Sequence, residues 1–299
     1  MRVAVLRWAR PPRAGVVVGA CLLSVAAWAA APAVAASTHA ESARPAVHTW
    51  HGRPVVEVGA NQSNNWSGYN QGNLETGKSG GFHSITGDWI VPTASPHKPM
   101  ESEYSATWVG IGGGCLDTAC SQTDNTLIQA GTEQDVNYDP IAGTSESYSA
   151  WYELIPNTSI TVNLTVKPGD HIHVDIHENQ INSENWSITI QDVSSGQSWS
   201  DTNISYQSTY ATAEWIEETP VVVAVSVPPT VGFVPLPNLG TVTFDPGTVN
   251  GASPGLVPAE AQQLVDLTGS PEATASAPDS DTDGFNDCSY ASSCTAPAS

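Results

Sequence analysis

From Gln62 onward the chain breaks into short apolar or alternating runs separated by Gly, Pro, Asn, Asp and Ser, and that punctuation restricts it to β architecture. The runs occupy residues 87–91, 104–111, 127–130, 147–155, 159–166, 171–177, 186–191, 212–217 and 241–244. In one of them Ile160, Val162, Leu164 and Val166 would face one way and Thr161, Asn163 and Thr165 the other, the period-two signature of a half-buried strand. No window before residue 255 repeats apolar residues at helical spacing. Evenly spaced strands with turn signals between them predict an all-β sandwich or barrel, with at most one short helix. That helix is expected at residues 258–266. Residues 219–237 are expected to form an extended loop with an edge strand, because their prolines exclude a central strand.

Residues 1–35 have the layout of an export signal. Arg2, Arg7, Arg10 and Arg13 precede an apolar run over 14–31, and Ala33-Val34-Ala35 supplies a small-residue cleavage pattern. A membrane anchor fits less well, since the run is alanine-rich, short of the usual ~20 strongly apolar residues, and followed by no stop-transfer charges. Residues 36–61 carry the remaining arginines and show no turn-bounded strands, which suits a short pro-segment or flexible arm. Residues 62–299 are then the β-sandwich domain, of a size one all-β domain can reach.

The expectation is therefore a secreted protein, and its charge sharpens once the signal is set aside. Nine Lys and Arg face thirty Asp and Glu, four of the basic residues lie in the signal, and the remainder carries about −25. Such a surface repels nucleic acid and anionic lipid, both of which are bound mainly through Lys and Arg. It suits an acidic medium, where carboxylates neutralise and few bases remain to leave a positive excess. Cys21 lies in the signal; Cys115 with Cys120 and Cys288 with Cys294 are sequence-local. Two small-loop disulfides are the simplest pairing in an oxidising compartment, with the two other connectivities open. Neither pair has the spacing of a zinc knuckle, and no histidine pair accompanies them.

Several familiar chemistries fail on their motifs. There is no G-x-S-x-G, the stretch His177-Glu178-Asn179-Gln180-Ile181 misses H-E-x-x-H at its last position, and paired D-T/S-G motifs are missing. His171, His173 and His177 share a strand face with Asp175 over Ile172, Val174 and Ile176, as a solvent-facing polar row would. Glu133-Gln134-Asp135 opens like the E-x-D-x-x-E strand of sandwich endoglucanases, but Tyr138 stands where the second catalytic carboxylate belongs. With the many tryptophans this leaves a β-sandwich glycosidase or carbohydrate-binding module as the alternative function. Trp66, Trp89, Trp151 and Trp186 serve equally as fillers of the sandwich or its concave face. Asp279, Asp281, Asp283 and Gly284 open like a calcium loop, yet its twelfth position is Tyr290 instead of Glu.

Six ordered segments carry a resemblance. Asn65-Trp66-Ser67-Gly68, Trp108-Val109-Gly110-Ile111, Leu127-Ile128-Gln129-Ala130-Gly131, Ala150-Trp151-Tyr152-Glu153 with Pro156, Ser195-Gly196-Gln197 and Ala213-Glu214-Trp215-Ile216-Glu217-Glu218 resemble the motifs of the glutamic peptidases, or eqolisins. The resemblance spans residues 62–250. It implies an antiparallel β-sandwich of two packed, curved sheets, concanavalin-like, and an acid endopeptidase acting on polypeptides, a monomer without metal or cofactor, with Gln129 and Glu218 catalytic and Trp108 and Glu153 near the substrate. In that register residues 279–287 are the turn before a last strand, 285–290. Gly112, Gly113 and Gly114 depart from the family, which commonly has Asp after W-V-G-I, and insertions over 115–125 and 221–231 alter loops.

The pair makes physical sense. A glutamate with an ordinary pKa of ~4.3 can accept a proton from water in mild acid and return it to a leaving amine. A neutral primary amide can donate to the oxyanion and accept from the water, which a second carboxylate could not do without repulsion. Alternation places Glu214, Ile216 and Glu218 on one face and Trp215 and Glu217 on the other. Alternation alone leaves Glu214 and Glu217 open as rivals to Glu218.

Overall fold

The computed structural model describes residues 48–50, 54–59, 61–75, 80–224 and 230–298. The expected export signal lies outside the described residues. The chain divides into Met1–Ala43 and Arg44–Ser299, and the described residues all belong to the second unit.

In chain order the strands are β1 (His48–Trp50), β2 (Glu57–Gly59), β3 (Gln62–Ser63), β4 (Trp66–Gly72), β5 (Ser84–Ile90), β6 (Ala106–Gly112) and β7 (Leu127–Asp139). Next come β8 (Gly143–Leu154), β9 (Ile160–Thr161), β10 (His171–Glu178), β11 (Asn185–Asp192), β12 (Gln197–Ser205) and β13 (Thr212–Glu218). The last are β14 (Val221–Ala224), β15 (Thr230–Phe233), β16 (Thr241–Val249), β17 (Ala261–Val265), β18 (Pro271–Ala275) and β19 (Phe285–Ser289). A single hydrogen-bonded path runs β12-β11-β10-β5-β16-β19-β18-β17-β4-β13-β6-β7-β8-β9. Its pairings are antiparallel; off the path, β3 joins β17 in parallel.

The path folds back on itself as a β-sandwich. Ile85, Trp89, Ile172, Val174, Ile176, Ile188 and Ile190 from one layer share a core with Tyr69, Val109, Ile111, Ile128, Ala130 and Trp215 from the other. Two indoles stitch the layers: Trp89 Nε1 donates to Thr132 Oγ1 at 3.1 Å, and Trp215 Nε1 to the Thr86 carbonyl at 2.8 Å. Gly87 makes the second contact possible, since a Cβ there would lie 2.6 Å from Val109 and 3.0 Å from the Trp215 ring. The histidines of β10 are half-buried over the buried aliphatic row; His171 and His173 both bond Asp88, and His177 bonds Asp175.

The helix expected at 258–266 is not formed. Only Pro258–Glu260 makes a 3-10 turn, and the sequence then becomes β17. Its neighbours override the helix-favouring Ala, Glu, Gln and Leu content. β17 pairs with β18, β4 and β3 at once, and Gln262 and Leu264 are buried in strand alternation. In the run 159–166 only Ile160–Thr161 forms a strand; Val162, Leu164 and Val166 are buried as alternation requires, but Ile160, expected on the same face, is half exposed at the end of the sheet. Within 219–237 the chain forms the hairpin β14–β15, which pairs with β1 in a separate three-stranded sheet. Strand β12 had no apolar signal because it is an edge strand with most of its side chains exposed or half-buried. Disulfides join Cys115 to Cys120 and Cys288 to Cys294. No helix among the described residues is long and apolar enough to cross a membrane.

Candidate active site

Strands β4, β13, β6, β7 and β8 lie side by side, and their registers decide which side chains share the face turned away from the core. Glu218 pairs with Trp66 and Ala106, Ile216 with Gly68 and Trp108, and Glu214 with Asn70 and Gly110. On the next strand Gly131 lies opposite Trp108 and Trp151, and Gln129 opposite Gly110 and Glu153. Period two then puts Gln129, Trp108, Glu153, Glu214 and Glu218 on one face. Tyr69, Val109, Ala130 and Trp215, one residue out of phase, enter the core.

Contacts tie four of these residues into two linked pairs. Trp108 Nε1 donates to Glu218 Oε2 at 2.9 Å, and Gln129 Nε2 donates to Glu153 Oε2 at 2.9 Å. Glu218, Gln129, Glu153 and Trp108 are all fully buried. Burial, followed by the Glu153 charge, pushes the Glu218 carboxyl well above its ordinary range, against the opposing pull of the Trp108 and Trp66 indoles. Burial likewise raises Glu153 to about 8, opposed by its bond from Gln129. The remaining oxygens Glu218 Oε1 and Glu153 Oε1 are buried without hydrogen-bond partners, where a water or a substrate amide would satisfy them.

The rivals separate by geometry. Glu217 points between the layers, where Thr107 Oγ1 donates to its Oε2 at 2.6 Å. Glu214 shares the face of Glu218 but sits at the other end of β13, beside Gly114 and Asn70. Gly114 has a steric reason. A Cβ on Gly114 would lie 1.6 Å from Asn70 Oδ1, which accepts the Cys115 N–H at 2.6 Å and so straps this loop to β4. Gly131 is equally constrained, since a Cβ there would fall 2.1 Å from the Thr107 carbonyl and 2.6 Å from Trp108 Cβ. Its absence lets the Trp108 Cα and Cβ pack closely on β7.

Two further features complete the site. Trp66 stacks edge-on against Trp108, with ring centroids 5.0 Å apart, and both belong to a cluster with Trp151, Leu127 and Ile216 on the face of Gln129 and Glu218. Trp89 and Trp186 belong to the inter-sheet core instead. The second feature is Val55, from the segment expected to be a pro-segment or arm, which is buried in that same aromatic cluster. Its N–H donates to the Gly113 carbonyl at 3.0 Å, the next N–H, of Val56, donates to Asn65 Oδ1 at 2.8 Å, and β2 pairs with β3. Nothing in the composition of residues 36–61 signals this contact.

Among the described residues, carboxylates or cysteines gather at metal-ligand spacing at Glu57, Cys115 and Cys120 and at Asp245, Asp279 and Asp283. The first group includes a disulfide and offers no thiolate.

Comparison with known proteins bears on the same strands. The profile of the Peptidase A4 family matches residues 64–290. No curated protein matches the chain. Among solved structures, the chain is similar to Scytalido-glutamic peptidase with a peptide-based transition state analog, at 21% identity and a TM-score of 0.56, over 76% of this chain and 98% of that one. It is similar to SCP-B, an eqolisin solved with the tripeptide Ala-Ile-His, at 19% identity and a TM-score of 0.53, with the same coverage. At such identities these structures speak for the fold, whereas the profile spans well over half of the chain. The protein belongs to the Peptidase A4 family, the eqolisins, and is a glutamic-type peptidase.

Proposed function

We propose that the protein is a secreted endopeptidase working in acid, with Glu218 as general base and then acid and Gln129 as the oxyanion's amide donor. The observation that carries this reading is the linked set on one sheet face: Trp108 bonded to Glu218, Gln129 bonded to Glu153, and the Glu153 charge felt at Glu218. Water attacks the scissile carbonyl carbon while Glu218 takes one of its protons. The Gln129 amide N–H bonds the oxyanion as it forms, without adding charge to the site. Glu218 then delivers its proton to the amide nitrogen, the C–N bond breaks, and an amine and a carboxylic acid leave.

Residues 36–61 act as the pro-segment in this reading. Val55 lies over the aromatic cluster beside the dyad, a position in which it excludes water and holds Glu218 protonated. Release of the segment would hydrate the carboxyl and bring its pKa down toward the acid range where a general base is needed.

Casein digestion at pH 3–4 is the direct test. Glu218→Gln and Gln129→Ala are each expected to lower kcat by about 10²–10³ or more, the loss typical of a removed catalytic donor, with circular dichroism unchanged. Retained activity in Glu218→Gln would exclude the mechanism.

A further inference from the structure

The turn between β18 and β19 brings Asp279, Asp281 and Asp283 together ahead of Gly284, and β16 sets Asp245 against them. One carboxylate oxygen each from Asp245, Asp279 and Asp283 lie within 4.8 Å of one another. Like charges at that spacing repel, and none of the ion pairs among the described residues involves them.

The backbone nevertheless holds the turn in place. Asp279 N–H donates to the Gly284 carbonyl at 2.9 Å, Gly247 N–H to the Asp283 carbonyl at 2.8 Å, and Leu256 N–H to the Thr282 carbonyl at 2.9 Å. Asp279 itself is only 7% exposed. Its Oδ1 accepts the N–H groups of Asp283 and Gly284, both at 3.3 Å, but its Oδ2 is buried with no hydrogen-bond partner. Leaving a buried acceptor of this kind unpaired costs about 1–3 kcal/mol, and more when it is charged. A Cβ on Gly284 would meet Asp279 Oδ2 at 2.8 Å and the Asp245 carboxyl carbon at 2.9 Å. The orphaned oxygen and the Asp245 carboxyl therefore flank one point, which glycine leaves open.

We propose that Asp245, Asp279 and Asp283 bind a calcium ion that fastens the β18–β19 turn to β16. The donors are hard carboxylate oxygens with no histidine or thiolate among them, the set that selects Ca²⁺ over zinc or copper. The sequence has the opening of a calcium loop but Tyr290 at its twelfth position. The structure supplies a third carboxylate from a neighbouring strand instead, so the loop is completed by tertiary contact. Binding relieves the repulsion and gives the buried oxygen a partner. The site does not depend on the peptidase chemistry, because none of its residues touches Gln129 or Glu218.

The test uses the full chain at neutral pH. The Trp215 indole lies against Gly247 beside the Asp283 carbonyl, so Tb³⁺ in the site should luminesce on tryptophan excitation and be displaced by Ca²⁺. Millimolar Ca²⁺ is expected to raise Tm by about 5 °C or more through linkage, and equal Mg²⁺ by much less. Asp245→Asn and Asp283→Asn should lose both responses. Each removes a repelling charge, so the ion-free Tm should hold or rise, which separates loss of binding from loss of fold. Glu146→Gln, at an exposed position far along β8, should keep both responses. A Ca²⁺ effect matched by Mg²⁺, or one that persists in Asp245→Asn, would be general screening of an acidic surface and would overturn the proposal, as would no response in either readout.

Discussion

Glu218 sits where a carboxylate is hard to ionise: fully buried, with Glu153 near enough to repel its charge. The Trp108 indole is the principal group working the other way, through a 2.9 Å hydrogen bond. A hydrogen bond to a charged group contributes about 1.5–3 kcal/mol, so its loss should be visible in the pH profile. Trp108→Phe keeps an aromatic ring beside Gly110 and removes the donor. The expected result is a fall in kcat/KM of about ten- to a hundredfold. The profile's Glu218 limb should move to higher pH, because the ionised form has lost its support. An unchanged limb would show that Trp108 only fills space. Much of this site was legible in the sequence: Gln129 stands alone as the polar residue in its apolar run, and the motifs gathered Trp108 and Glu153 around it. The choice among Glu214, Glu217 and Glu218 was not legible, since alternation gives parity without saying which face meets the core. Register puts Glu217 on the core side with its partner Thr107, while Glu214 and Glu218 share the other face.

At the scale of elements, the strands that carry the site were the most legible part of the chain, because each pairs an apolar core row with turn signals at both ends. Elements decided by their neighbours were not. The sequence of β17 has a helix former's composition and becomes a strand because β4 and β18 offer it hydrogen bonds on both edges. The segment around Val55 has no strand pattern of its own, yet it docks in the aromatic cluster beside Glu218. If that docking keeps the enzyme inactive, placing a charge there should release it. An ammonium group, charged throughout the acid range, loses its hydration among Trp66, Trp108 and Leu127, a cost of several kcal/mol. Val55→Lys is therefore expected to raise the initial rate of the unprocessed chain at pH 4 by tenfold or more, read by fluorogenic-peptide cleavage before any self-processing. A rate equal to or below that of the native chain, with circular dichroism unchanged, would show that residues 54–59 do not guard the site.

Across the whole molecule, composition pointed to acid through net charge, but the stronger reason lies in which acids are inside. Burial raises Glu57 and Asp287 to about 7 and Glu153 to about 8, and raises Glu214, Glu217 and Glu218 as well. In the unfolded chain the same groups ionise near 4. Between those limits the folded protein holds more protons than the unfolded one, so its stability must fall as pH rises. The contribution is complete below about pH 4 and is lost as pH climbs through 7 to 8. Fully buried Asp287 alone, raised from 3.8 to about 7, corresponds to a loss on the order of 4 kcal/mol by pH 8. Glu178 is the counterexample: despite burial, the Glu184 N–H and His83 hold it low, so its contribution fades only in strong acid. Calorimetry at pH 4, 6 and 8 under constant chelator should therefore show Tm falling by more than about 10 °C across the range, given several such groups and about 2–4 °C per kcal/mol for a domain of this size. The fall should shrink in Asp287→Asn, which cannot ionise. A Tm that is level or rising toward pH 8 would mean that these carboxylates are hydrated in solution, and that acid tolerance comes from the surface charge alone.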